Sequence, residues 1–348
     1  MKKAIKYLLP ATLLLLILVS CKKAGSAEIT ILAPTNLVFT ALVATDGSGL
    51  VNFTAQAMNA VSFDFEFGNG EIKTAPTGVI DYVYSRSGTN TFTVTVTAKS
   101  GAGLTLKKTI PVTVTVTPSV PTLFWSEEFN IDGPPDSTKW GYDLGAGGWG
   151  NNELEYYTNR RENSIVQGGV LKINAIRENF NNSPYTSARL LSKGKFAFTY
   201  GKVEVKAKLP AGVGTWPAIW MLGSNAETAG WPACGEIDIM EHVGKWLNRI
   251  YGTLHYPGRS GGNADGSTRV VDGVTTAFHI YTLDWTADSI KIYVDGLLNH
   301  SVNNSRNIPF NHDFFLILNV AMGGGFGGDV DPSFTRATME IDYIRVYK

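Results

Sequence analysis

Glu236-Ile237-Asp238-Ile239-Met240-Glu241 sets three carboxylates among apolar side chains, in a neighbourhood otherwise rich in glycine and aromatic residues. In a strand, successive side chains point to opposite faces, so Glu236 and Asp238 share one face while Ile237 and Ile239 pack the other. Glu241 then falls on the wrong side. One extra residue bulged out at about Ile239 or Met240 shifts the phase and returns Glu241 to the acidic face, and bulges of this kind favour active sites. The alternative is an acidic strand edge facing water. It is disfavoured by the isoleucines, which demand a packed reverse face, and by the tryptophans that crowd the same stretch.

With the bulge, the two glutamates are separated by about four strand steps, roughly 13 Å between backbones at ~3.3 Å per residue. Side chains leaning toward each other close much of that gap. A carboxyl separation of about 5–5.5 Å suits a retaining glycosidase, in which one acid attacks the anomeric carbon and the other protonates the leaving oxygen. Asp238 lies between them, and a third negative charge there helps keep one acid protonated near neutral pH.

The rest of the composition agrees with an all-β protein. Lys plus Arg equals Asp plus Glu at 30 each, so no electrostatic ground exists for a nucleic-acid partner. Charged residues are scarce, whereas Gly, Thr, Val and aromatics are plentiful. A chain of 348 residues can hold more than one domain.

At the N-terminus, Lys2, Lys3 and Lys6 precede an apolar stretch from Leu8 to Val19 that is short for a membrane span, which is the form of a signal peptide. Its end, Leu18-Val19-Ser20-Cys21, resembles the bacterial lipobox, which implies lipidation at Cys21 and an exported protein anchored to the cell envelope. A plain secretory signal with an incidental cysteine is the alternative. Cys234 is the one other cysteine and reads as a small buried apolar residue. No disulfide framework is then available.

The expected organisation is a leader over 1–20, a tether over 21–28, a small β-sandwich over 29–118 and a larger β domain over 119–348. In the first β block, Phe63-Asp64-Phe65-Glu66-Phe67 alternates into the turn Gly68-Asn69-Gly70, and Thr91 to Thr97 and Val112 to Val116 repeat the alternation. With Asp81-Tyr82-Val83-Tyr84, this block resembles the polycystic-kidney-disease (PKD) type of immunoglobulin-like domain, which implies a spacer or a weak glycan contact. The second block shows more than a dozen strand candidates and no convincing helical periodicity, which predicts a double-sheet jelly roll with a concave, ligand-holding face.

Trp216, Trp220 and Trp231 precede the acidic strand. An indole face packs well against a pyranose ring, with core packing as the alternative for each, most of all for Trp220. The loop Gly147 to Glu153 has the composition of a binding rim or of an ordinary turn. Arg189 reads as a ligand for sugar hydroxyls, as a partner of a catalytic carboxylate, or as a structurally paired arginine. His255 reads as a cleft residue from a neighbouring strand or as a structural histidine, and none of the five histidines has metal-ligand spacing. Gly323 to Gly328 fits a dinucleotide fingerprint in letters only, because Asp329-Val330-Asp331-Pro332 follows where a helix is needed, so a rim loop is expected. Gly258 to Gly262 lacks the strand-to-helix context of a nucleophile elbow.

The second block resembles glycoside hydrolase family 16, and most of all its laminarinase-type members. The resemblance rests on Trp125 to Asn130, Gly148 to Glu153, Tyr185 to Arg189, Gly214 to Leu222, Trp231 to Glu241, Tyr251 to His255, Leu318 to Ala321 and Asp342 to Tyr347. It implies a concanavalin A-like β-jelly roll and retaining hydrolysis of β-1,3-glucan, with Glu236 as nucleophile, Glu241 as general acid and base, and Asp238 as tuning carboxylate. It also implies sugar contacts at Asn151, Arg189, Trp216, Trp220, Trp231 and His255, no catalytic cofactor, and a structural Ca2+ at Glu128, the backbone of Gly169 and Asp342. Phe326-Gly327-Gly328 departs from the Trp-Pro-Gly of laminarinase-like members. The expected partner is a β-glucan, with mixed-linkage glucan as a second substrate, and the expected state is a monomer. A galactan-cleaving relative and a non-catalytic glycan-binding lipoprotein are the alternatives.

Overall fold

Alternation of apolar and polar side chains governs both β units of the chain. The computed structural model describes residues 32–117 and 121–348, so the leader, Cys21 and the tether lie outside the described residues. The chain divides into a unit ending at Ser119 and one beginning at Val120.

Among the described residues, the first unit pairs a three-stranded sheet with a four-stranded one. Thr35–Val43, Leu50–Met58 and Val79–Val83 form the first sheet, and Ile72–Ala75, Ser62–Glu66, Gly88–Lys99 and Thr105–Val116 form the second, in that order. Every second residue turns inward: Phe39, Val51 and Phe53 meet Phe65, Val94, Val96 and Val114 in a core closed to solvent. Phe67 stacks on Tyr82 with ring centroids 3.8 Å apart, and the buried Tyr84 hydroxyl donates to the Phe67 carbonyl at 2.9 Å. The result is an immunoglobulin-like β-sandwich.

The second unit is the jelly roll, a ten-stranded sheet against a seven-stranded one among the described residues. The seven strands run in the order Asp265–Val270, Arg249–His255, Glu236–His242, Thr215–Gly223, Phe314–Met322, Arg189–Leu191 and Gly141–Asp143, all antiparallel. The acidic strand is therefore interior to its sheet, where its backbone groups are paired on both sides. Phe314–Met322 is buried at every residue. Leu316, Leu318 and Val320 enter the core between the sheets, whereas Phe315 and Ile317 join Leu191 in a small separate cluster. Such a continuous apolar run is what a strand covered on both faces requires.

Among the described residues, α-helix is confined to single turns at Ala226–Ala229 and Gly324–Gly327. The second falls inside the segment expected as a loop. Its flanking glycines have φ of 68° at Gly323 and 75° at Gly328, a region closed to most side chains, and this lets the turn start and stop abruptly. No helix among the described residues is long and apolar enough to cross a membrane.

Candidate active site

The extra residue of the acidic strand is Ile239. Against Thr215–Gly223, Met240 pairs with Ile219 and Asp238 with Trp220, leaving Ile239 without a partner, and the register against Arg249–His255 slips between Asp238 and Glu241. Ile237, Ile239, Met240 and His242 all point into the core. Glu236, Asp238 and Glu241 all line a single cleft of about 790 Å³. The bulge thus places Ile239 and Met240 on the same side and hands the next side chain, Glu241, back to the acidic face.

Each glutamate is held by its own indole. The Trp231 Nε1–H donates to Glu236 Oε2 at 3.0 Å, and the Trp216 Nε1–H donates to Glu241 Oε1 at 2.9 Å. Thr253 Oγ1 donates to the other oxygen of Glu241 at 3.4 Å. His255, which pairs with Glu236 across the neighbouring strand, places Nε2 at 3.2 Å from Asp238 Oδ2 and 3.7 Å from Glu236 Oε1. Its Nδ1 accepts the Gly261 N–H at 3.1 Å. That bond makes Nδ1 the acceptor and leaves Nε2 to carry the hydrogen that faces the acids. The polar loop over 258–262, set aside as a nucleophile elbow, thus orients a residue of the cleft.

The opposite wall is built around Arg189. Its guanidinium lies 5.0 Å from the Trp149 ring and 4.8 Å from the Trp220 ring, and its Nε is 3.0 Å from Asp143 Oδ2. It is thus a paired arginine clamped between two indoles, and no hydrogen bond joins it to a catalytic carboxylate. Trp220 does two things: it lines the cleft and packs against the Leu191, Phe315 and Ile317 cluster, with its N–H on Asn319 Oδ1 at 2.8 Å. Asn151 lines the cleft with its amide bonded to Glu153 Oε1 at 2.9 Å. Phe326 also lines the cleft, edge-on to Trp216 at 5.4 Å and to Tyr251 at 4.8 Å, so an aromatic ring is kept at the rim despite the altered motif.

No role was expected at Thr253, Gly261 or Glu155, and Glu153 was expected only as the end of a rim loop or turn. The signal for Glu153 and Glu155 was a second acidic alternation, Glu153-Leu154-Glu155, just before the apolar-aromatic Tyr156-Tyr157. Cys234 is buried, its thiol pushed up by burial and then by the Glu236 charge.

The electrostatics are dominated by burial. Glu236 is pushed up to about 8, first by desolvation and then by the charge on Asp238, with His255 and the Trp231 bond opposing. Asp238 is raised well above the usual range by burial and then by Glu241. Glu241 is raised by burial, against the pull of Trp216, His255 and Thr253. Three acids in so small and dry a space do not all ionise, so the cluster retains a proton to higher pH than an isolated carboxyl would.

A family model described as glycosyl hydrolases family 16 matches residues 151–345. The chain belongs to that family. A PKD domain model matches residues 26–114 of the same family 16 chain. A β-glucanase of Rhodothermus marinus is 46% identical over 243 residues, spanning 65% of this chain and 85% of the relative. A glucan endo-1,3-β-glucosidase of Cryptopygus antarcticus is 38% identical over 248 residues, covering 64% of this chain and 90% of its own. Among solved structures, the laminarinase from Rhodothermus marinus matches with a TM-score of 0.63 at 45% identity, over 66% of this chain and 98% of that one.

The calcium site implied for this family 16 domain calls for oxygen ligands from Glu128, Gly169 and Asp342. Glu128 gives both oxygens to Arg345, at 2.9 and 2.8 Å, and Asp342 is paired with Lys206 at 2.6 Å. Gly169 lies in a turn closed by a bond from the Gln167 N–H to the Val170 carbonyl. Two carboxylates already neutralised by cations do not fit the donor set a calcium ion needs.

Proposed function

We propose that the chain is a retaining endo-glycosidase that hydrolyses internal β-1,3-glucosidic bonds of laminarin-like β-glucans, with mixed-linkage β-1,3-1,4-glucan as a second substrate. One observation carries this reading: the bulge at Ile239 brings Glu241 onto the same face as Glu236, with an indole N–H on each. In the first step a Glu236 oxygen attacks the anomeric carbon while Glu241 gives its proton to the departing glycosidic oxygen. This breaks the C–O bond and leaves a covalent glycosyl-enzyme. In the second, Glu241 takes a proton from water, which attacks the same carbon and releases Glu236.

The indole bond to Glu236 stabilises its anion, and Asp238 holds the cluster's proton inventory high enough for Glu241 to start as an acid. His255, with Nε2 toward Glu236 and Asp238, offsets part of that charge. The chemistry needs no cofactor.

The substrate class follows from the walls. Trp149, Trp216, Trp220, Trp231 and Phe326 line the cleft, and the cationic Arg189 is already committed to Asp143. Aromatic faces suit uncharged pyranose rings, and a cleft whose arginine is already paired offers little to sulfated polymers. Relatives named for β-glucan and endo-1,3-β-glucosidic activity support the same choice. Incubation of the purified protein with laminarin, lichenan, agarose and carrageenan tests it. Reducing ends from laminarin foremost are expected, with retained anomeric configuration by NMR. Release from agarose alone, or inversion, overturns the reading.

Export and lipidation at Cys21 belong to the same proposal, with the enzyme acting as an anchored monomer on polymer outside the cytoplasm. The N-terminal charge and hydropathy pattern supports it. Cys21→Ala is expected to move the protein from the membrane fraction to the soluble fraction.

A further inference from the structure

The wall that carries Asn151 and Trp220 also holds a second acid pair that the hydrolytic steps do not use, Glu153 lining the cleft and Glu155 buried beneath it. Glu155 has no exposed surface, and Glu153 is 8% exposed. Glu155 Oε2 accepts the Met322 N–H at 2.6 Å, while its Oε1 is buried without a hydrogen-bond donor. Glu153 accepts from the Asn151 amide at 2.9 Å and from the Tyr157 hydroxyl at 3.0 Å. From there a chain of bonds runs onward: the Asn319 amide donates to the Tyr157 hydroxyl at 3.0 Å, and the Trp220 N–H donates to Asn319 Oδ1 at 2.8 Å. The Asn151 carbonyl is tied in turn to the Gly325 N–H at 2.8 Å.

Every orientation along this chain starts from which oxygens Glu153 offers. With Glu155 neutral, its O–H is a donor and Glu153 stays an acceptor for Asn151 and Tyr157. With Glu155 ionised, two buried carboxylates face each other with no cation between them. We propose that Glu155 is a positioning residue for the sugar-binding wall: as a neutral acid bonded to Glu153, it fixes the Glu153 carboxyl and, through it, the Asn151 amide and the Trp220 indole.

This rests on the glycosidase reading for its substrate, but the internal geometry stands apart from it. The titratable and charged groups around the pair are few. Tyr157 follows on the same strand, and Arg189 comes from the Arg189–Leu191 strand with Asp143 on its guanidinium. The Phe314–Met322 strand contributes the neutral Asn319 and the Met322 N–H. Burial first, and then the Glu153 charge, hold Glu155 well above the ordinary carboxyl range. Raising the pH through its titration therefore loosens the wall and weakens substrate binding.

Kinetics of Glu155→Ala and Glu155→Gln on laminarin, together with the indole N–H resonance of Trp220 followed by NMR in the free protein, provide the test. Loss of a bond to a charged group predicts a KM rise of ~10-fold for Glu155→Ala with kcat changed far less. Glu155→Gln keeps a donor at every pH, so it is expected to restore KM and abolish the alkaline rise in KM seen in the parent enzyme. The Trp220 resonance is expected to shift with pH in the parent and to stay fixed in Glu155→Gln. Identical alkaline behaviour of KM and of Trp220 in the parent and in Glu155→Gln overturns the proposal, even if the alanine variant does not fold. Absence of any laminarin hydrolysis would sink the glycosidase reading alone, since the Trp220 titration needs no substrate.

Discussion

Two strands of this chain carry nearly the same alternation of acids and apolar residues and use it in opposite ways. In Ser62–Glu66, Asp64 and Glu66 interleave with Phe63 and Phe65, and the phenylalanines fill the core of the first sandwich. In Glu236–His242, glutamate and aspartate interleave with isoleucines that fill the jelly roll. Asp64 meets Lys99 and the Thr74 hydroxyl, and these hold its carboxyl below the usual range. Glu236 and Asp238 meet indole, imidazole and each other, and burial drives them up. Alternation selects a face; what covers that face decides whether its acids stabilise the fold or are held under strain for chemistry.

The largest break in this comparison comes at the catalytic pair. Glu236→Gln and Glu241→Gln are each expected to lower kcat on laminarin by ~10³-fold or more. An aryl β-glucoside with a good leaving group separates the roles, because it needs no proton at departure: it is expected to suffer far more in Glu236→Gln than in Glu241→Gln in the first step. Equal losses on both substrates would contradict the assignment. Glu236→Gln also reverses the sign of an ordinary active-site lesion. A carboxyl pushed up to about 8 in the folded state binds a proton that the unfolded chain has released, so it subtracts stability as pH rises from the unfolded value to the folded one. Removing it is expected to raise the stability of this unit near pH 8 and to change it little near pH 4, read from urea or thermal unfolding.

Asp238→Asn is expected to act through its neighbours. The Asp238 charge is the second cause of the Glu236 elevation, so deleting it lets Glu236 ionise at lower pH and weakens retention of the cluster's proton. Both limbs of the pH profile of kcat/KM are expected to move to lower pH, with turnover near the old optimum down ~10- to 100-fold. A profile displaced upward, or unmoved, would show that Asp238 does not tune the pair.

Much of this was legible from one strand. The face shared by Glu236 and Asp238, and the need for a bulge before Glu241, follow from a period of two and from the isoleucines. The jelly roll and the immunoglobulin-like sandwich follow from alternation punctuated by glycine. What was not legible depends on partners brought together from distant strands. Arg189 could not be known to lie between Trp149 and Trp220, with Asp143 beyond, because three separate segments meet there. Gly261 on His255, and the chain from Glu155 to Trp220, are tertiary in the same sense. The pairing of Glu128 with Arg345 is tertiary as well. Strand Arg336–Tyr347 pairs in register with Leu123–Glu127, placing Arg345 opposite Ser126 and within reach of both Glu128 oxygens.

The smallest expected effect lies at the other acidic strand and fixes the sense of the comparison. Asp64 has its folded carboxyl held down, first by the bond from Lys99, so its contribution is present above the unfolded value and disappears as pH falls through the folded one. Both partners keep contact with water, with 40% of the Lys99 side chain and 23% of Asp64 exposed, so the pair is worth only ~0.5–1 kcal/mol. Asp64→Asn is expected to lower the stability of the first unit by that amount at neutral pH and by nothing near pH 2, with laminarin hydrolysis unchanged. The direction matters more than the size: the two substitutions remove a charge from the same kind of strand, yet Glu236→Gln should stabilise and Asp64→Asn should destabilise. If both moved stability the same way at pH 8, the difference in environment would not be what separates the two strands.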